Sequence, residues 1–199
     1  MRHADLEEAS KKHKALLAEL KKSTKAEASP KFQLKLNLTT TIAEDIMIAR
    51  EIEDHPITPK KEVIDIAAVC KALSDSKQEF ANSLGVSLHL VSTGSKFWVS
   101  GDREWLEVML GKLIEIGILI ASTENNPTVF IRLNPSGESI VNVLIASVCT
   151  SGSEINPADI LSEKFGRLWQ ETNLKLGSGL EGFIALRIAR QLGIGIDVN

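Results

Sequence analysis

Gly101-Asp102-Arg103-Glu104-Trp105-Leu106-Glu107-Val108-Met109-Leu110 is the stretch whose reading decides the fold. A short extended run, Lys96 to Val99, leads into it, and Gly101-Asp102 then opens a strongly apolar helix through Ala121. Upstream, Glu62 to Ile66 reads as a short extended segment. Asp65 is placed to cap a helix that continues to Asn82 and ends at Gly85. Val86 to Val91 alternates as a strand, with Val86, Leu88 and Leu90 facing one way and Ser87, His89 and Val91 the other. Downstream, Thr128 to Leu133 and Ser139 to Val148 read as strands joined by the turn Asn134-Pro135-Ser136-Gly137. Pro157 to Gln170 reads as a helix with Asn156 as its cap. A glycine-rich loop then leads to a helix from Gly179 to Leu192, and Ile194 to Val198 reads as a final strand.

Two helices precede this block. Leu6, Ala9, His13, Leu16 and Leu20 recur at spacings of three and four, a heptad seam within a helix over residues 4–27. Ser29-Pro30 breaks it, and a second helix runs from Phe32 to Asp54. Leu34, Leu38, Thr41, Asp45, Ile48 and Ile52 continue the seam, and Ile42, Ile46 and Ala49 widen it. The short connection favours an antiparallel hairpin, which buries little alone and is completed by a second copy as a four-helix bundle in a homodimer. His55-Pro56-Ile57-Thr58-Pro59 reads as a linker. The fold class is therefore α+β, with a dimerisation hairpin over residues 1–58 and an α/β sandwich over residues 59–199.

Composition narrows the function classes. Hydrophobic residues make up 43% and charged residues 25%, a soluble balance, and no apolar run reaches the ~18 residues of a membrane span. The N-terminal residues lack the apolar segment of a signal peptide, so a cytoplasmic setting is expected. Cys70 and Cys149 lie far apart in apolar contexts and read as reduced core cysteines. The net charge of −3 excludes a generally nucleic-acid-binding surface. Residues 1–35 hold nine Lys or Arg against five Asp or Glu, either a solvated helix face or a docking surface for an acidic partner. Trp98, Trp105 and Trp169 are scattered and read as core or hairpin-contact residues.

The order of elements and two motifs resemble the sensor histidine kinases. The motifs are the opening stretch at Gly101, which matches the start of the family's N-box helix, and Gly177-Ser178-Gly179-Leu180-Glu181-Gly182 with the apolar helix that follows. The C-terminal region is similar to the ATPase domain that histidine kinases share with their GHKL relatives, and the hairpin to the dimerisation arm of the same kinases. The resemblance covers most of the chain.

The resemblance also identifies the positions that carry the family's chemistry, and several are altered. The two N-box asparagines, one serving phosphate and one magnesium, fall at Lys112 and Ile116. Lysine can pair with a phosphate as a point charge, but isoleucine offers no oxygen to magnesium. The adenine-reading aspartate falls at Cys149 or Thr150, followed by Gly152, and a Thr150 hydroxyl is a weaker partner than a carboxylate. In the phosphate loop Gly177, Gly179 and Gly182 remain, but Glu181 stands where the pattern has glycine, and a carboxylate repels phosphate. His13 is the candidate phosphoacceptor, on the right helix, but Lys14 follows it in place of an acidic residue and Ala18 replaces the proline. The alternative for His13 is a plain seam or surface histidine. No other catalytic signature or metal-spaced Cys/His cluster occurs.

Three functions fit these residues. The first is a degenerate histidine-kinase-like signalling protein, a pseudokinase without a cofactor, acting as a homodimer through protein contacts, with a response regulator as one possible partner. The second is an active kinase using ATP and magnesium in a divergent site. The third is an ATP-independent histidine phosphotransferase using His13.

Overall fold

The computed structural model describes residues 30–91, 97–136, 140–147 and 179–197, with side chains from Thr39 onward. In chain order these form α1 (Pro30–Asp54), β1 (Glu62–Asp65), α2 (Ile66–Ser83), β2 (Ser87–Val91), β3 (Trp98–Gly101), α3 (Arg103–Ala121), β4 (Thr128–Ser136), β5 (Ile140–Ser147) and α4 (Glu181–Leu192). The expected helices over residues 4–27 and 157–170, and Cys149 and Trp169, lie outside the described residues. Pro30 does not merely break the chain. It is the first residue of α1, a position where its missing N–H and fixed φ cost nothing.

Local chemistry sets the ends of the elements. The Asp65 carboxylate accepts from the Ala67 amide at 3.1 Å and starts α2 where the sequence placed the cap. α2 and α4 end in the same way, on a glycine in the left-handed region: Gly85 at φ 71° and Gly193 at φ 69°. Behind each, two amides fold back onto the last turn. Val86 donates to Ala81 O and Gly85 to Asn82 O, and Ile194 donates to Ala189 O and Gly193 to Arg190 O.

The strands form a three-stranded sheet, β2-β4-β5, and a separate antiparallel ribbon, β1-β3. β2 runs parallel to β4 and β4 antiparallel to β5. Leu88, Val129, Ile131 and Leu133 point into the core; α2 and α3 cover that face, and α4 packs on α3 and α1. His89 stacks on Phe130 on the opposite face. This is the expected α+β arrangement of helices on one face of a mixed sheet.

Three local expectations need correction. β4 extends past Leu133, with Pro135 opposite Val141 and Ser136 opposite Ile140. The proline is accommodated because β2 pairing stops at Arg132, so Pro135 lies in a two-stranded stretch. Residues Ile194 to Asp197 are not a strand, and they pair with no other strand among the described residues. The Ile194 amide is committed to closing α4, and Ile194 and Ile196 satisfy their apolar character by packing on the core. Trp98 is not a core residue: it is 58% exposed, on the outer side of the ribbon beside Val63.

α3 is the central helix. Its residues from Ile114 to Ala121 are all buried, as befits a helix packed on several sides. Gly117 lets it lie close to the sheet, since a Cβ there would stand 3.1 Å from Ile145 Cγ2 and 3.5 Å from Val129 Cγ1. Its start is fixed by buried Asp102. One carboxylate oxygen accepts from the Trp105 amide at 3.2 Å, and the other from the Lys60 amide at 2.7 Å. Asp102 thus caps α3 and fastens the linker in one step. Asp102→Ala is expected to lower stability by about 2 kcal/mol, the sum of a lost cap and a lost hydrogen bond. Asp102→Asn is expected to lose less, and urea denaturation of the two variants checks the order.

Candidate functional site

Charge inside the helix layer marks the site. Lys112 and Glu115 lie three apart on α3, in its otherwise apolar stretch from Val108 to Ala121, and their side chains pair at 2.7 Å. α1 brings Asp45 to the same point, with a carboxylate oxygen 2.6 Å from the Lys112 ammonium. α2 brings Lys77, which donates to the other oxygen of Glu115. α4 contributes Glu181 from its first turn. Oxygens of Asp45, Glu115 and Glu181 all lie within 4.8 Å of one another. Four helices therefore meet at three carboxyl groups and two ammonium groups. Asp45 is 0% and Glu181 2% exposed, and Lys112 and Glu115 are buried beside them.

Burial alone would lower the pKa of Lys112 and raise that of Glu115. The neighbours reverse both effects. The Glu115 and Asp45 carboxylates hold Lys112 above the ordinary lysine range, and Lys112 and Lys77 hold Glu115 below the ordinary carboxylate range. Both groups are therefore charged at neutral pH. Three carboxyl oxygens so close together could in principle hold a hard cation. Here the Lys112 ammonium stands within ion-pair distance of two of them and supplies the positive charge itself.

The positions expected from the sequence fall out as follows. Lys112 is at the centre of this cluster. Ile116 belongs to a small apolar group with Leu119 and Ile120, closed by Phe80, Leu84 and Leu113. Gly179 has φ 73° just before α4, and Gly182 is buried in its first turn beside Glu181. His13, Thr150, Gly152 and Gly177 lie outside the described residues. Sequence reading missed Asp45 and Glu115 as partners of Lys112. Their signal was present: an acidic residue in the apolar seam of one helix, and a Lys-x-x-Glu pair in the most apolar helix of the chain. Of the other histidines, His89 is exposed on β2, and His55 sits at the end of α1.

α1 is also fastened to α4 beyond the cluster. The Gln191 side chain donates to Ile52 O at 3.0 Å and accepts from the Ile57 amide, so one residue grips both the end of α1 and the linker.

The chain matches no protein-family model and no curated protein. It does resemble solved structures. One is full-length ShkA in complex with AMPPNP, at 15% identity and a TM-score of 0.63, covering 97% of this chain and 42% of that one. Another is the histidine kinase AdeS of Acinetobacter baumannii, at 16% identity and a TM-score of 0.54, covering 90% of this chain and 84% of that one. The fold is that of the histidine kinases. The chain spans less than half of ShkA. Among the described residues no helix is long and apolar enough to cross a membrane.

Removing one partner from a buried ion cluster leaves an uncompensated charge. Lys112→Met, which keeps the apolar stem, is expected to cost about 3–5 kcal/mol in urea denaturation. The pH dependence has a definite sign on each side. Above about 4.3, the unfolded value for glutamate, Glu115 contributes its full share of stability. As pH falls from there through its lower folded pKa, that share is lost. Lys112 contributes fully below about 10.4, the unfolded value for lysine, and its share is lost as pH rises through its higher folded pKa. Denaturation curves across pH are expected to show both limbs, and Lys112→Met to flatten them.

Proposed function

We propose that this chain is a histidine-kinase-like signalling module that has given up nucleotide chemistry at Lys112 and works through dimerisation and protein contacts. The observation that carries this reading is the state of Lys112. At the position to which the sequence resemblance assigns the phosphate-serving residue, the Lys112 ammonium is buried and already paired with Asp45 and Glu115. A phosphate placed there would stand among the carboxyl groups of Glu115, Asp45 and Glu181. Like charges at such range are strongly repulsive in a buried setting. The same carboxylates crowd the place of a magnesium-phosphate complex without offering one, because Lys112 holds two of them. Ile116, at the position expected for the magnesium ligand, is sealed in an apolar group. Phosphoryl transfer depends on positioning and charge neutralisation, and neither is supplied by these residues.

The dimer would form through the arm, residues 1–58, to which α1 belongs. Support for an unfilled apolar face comes from Ile46, which is 54% exposed on α1 while Asp45, Ala49 and Ile52 turn inward to α3 and α4. A response regulator is the natural class of partner for a protein of this fold.

Isothermal titration of Mg-ATP into the purified chain tests the reading. No heat of binding is expected in the micromolar range. Micromolar binding with a stoichiometry of one per chain would sink the proposal and restore an active kinase.

A further inference from the structure

The three-stranded sheet ends at β5, and among the described residues nothing pairs with the far side of that strand. In an antiparallel pair alternate residues turn N–H and C=O to the neighbour, so the other half of β5 turns its backbone groups to the open side. Of the open edges among the described residues this is the longest, with eight residues against five in β2 and four each in β1 and β3.

Folded chains protect such an edge with a charged side chain, a proline, a bulge or shortness. β5 has none of these. Its sequence, Ile-Val-Asn-Val-Leu-Ile-Ala-Ser, contains no charged residue and no proline, and its register with β4 runs unbroken from Ile140 to Ser147. The side chains are incompletely covered on both faces. Val141, Val143 and Ile145 pack on the core yet are only half-buried, whereas Ile131 and Leu133, paired with Ile145 and Val143 from β4, are 0% exposed. On the outer face Ile140 is 60% and Leu144 47% exposed. Another extended strand alongside β5 satisfies the backbone edge and flanks both rows of side chains at once.

The strand's own chemistry selects a second copy as the occupant. A two-fold axis normal to the sheet sets β5 antiparallel to its own image and keeps the helices of both copies on one side. Overlap of the two strands places Val143 at the axis. Val141 then lies opposite the partner's Ile145 and Val143 opposite the partner's Val143, so the inward row continues as aliphatic pairs. Although the chain carries a net charge of −3, β5 is uncharged, and the copy meets no like charge along the strand. We propose that β5 pairs antiparallel with β5 of a second copy, joining two three-stranded sheets into one across a two-fold axis. This contact is separate from Lys112 and from the arm, and it does not depend on the reading given for either.

Hydrogen exchange of the whole chain, followed by mass spectrometry at low and high protein concentration, tests it. The peptide covering residues 140–147 is expected to exchange at least about tenfold more slowly at high concentration, because pairing protects the amides on the open side. Residues 128–132, already paired on both sides, are expected to show no such dependence. Leu144→Lys puts a cation on the exposed face of the edge and is expected to abolish the concentration dependence. Asn142→Lys, at an exposed polar position, is expected to do the same, which keeps the test decisive if Leu144→Lys does not fold. Ile46→Lys, on the arm, is expected to leave the protection of β5 intact, which separates this contact from a dimer made by α1. Protection already complete at low concentration means that the edge is closed within one chain and overturns the proposal. Rapid exchange of β5 at every concentration leaves the edge to a different protein and overturns it too. So do an unchanged concentration dependence in both β5 lysine variants and its loss in Ile46→Lys.

Discussion

The structure is organised around one buried ammonium. Lys112 sits inside a helix that is apolar on almost every side, where an isolated charge is prohibitively expensive. Its neighbours follow from that. Glu115 one turn on, Asp45 from α1 and, through Glu115, Lys77 from α2 make the burial tolerable. Each of these residues fixes the helix that carries it. α3 is held against the sheet by its apolar residues and the close approach at Gly117, and α1 and α2 are held to α3 partly by charge.

Much of this fold was legible because it is written locally. Asp65 caps α2, Gly85 closes it, the alternation from Val86 to Leu90 puts Leu88 inside, and the apolar run after Asp102 is a core helix. Each of these depends on residues a few positions apart. The failures are of two kinds. Ile194 to Asp197 alternates like a strand, but burial can be met by packing as well as by pairing, and a pattern of side chains does not distinguish them. By sequence Trp98 reads as a core or hairpin-contact residue, yet its place on β3 puts it outside the core, on the outward side of the ribbon. The site was legible only in part. Lys112 could be placed by its position in the helix, and Glu115 stands three residues on, but that Asp45 meets them could not be read. The partner Asp45 comes from another helix across a linker, and long-range pairing of opposite charges leaves no periodic trace.

The linker region shows how the arm is positioned beyond the cluster. Asp102 caps α3 with one oxygen and holds the Lys60 amide with the other. Gln191 does the equivalent from α4, with Ile52 and Ile57. Residues 56–61 lack regular secondary structure, yet two of their amides are bonded to side chains of the α/β part.

Stability alone does not account for a cluster of four buried ionisable groups with a fifth, Lys77, at its edge. Well-packed apolar residues of similar volume often do as well or better. What charges add is a penalty for the wrong arrangement. Asp45, Ala49 and Ile52 share the inward face of α1, so a slide of one turn would place Ala49 or Thr41 opposite Lys112. An apolar seam would tolerate that slide, since one small residue would replace another. The cluster does not, because Lys112 would lose a carboxylate and Asp45 would be buried without its cation. The charges thus choose one register of α1 on α3 among several that packing would allow. The register of that helix sets which of its residues face outward. The same lysine therefore also bears on which surface α1 presents.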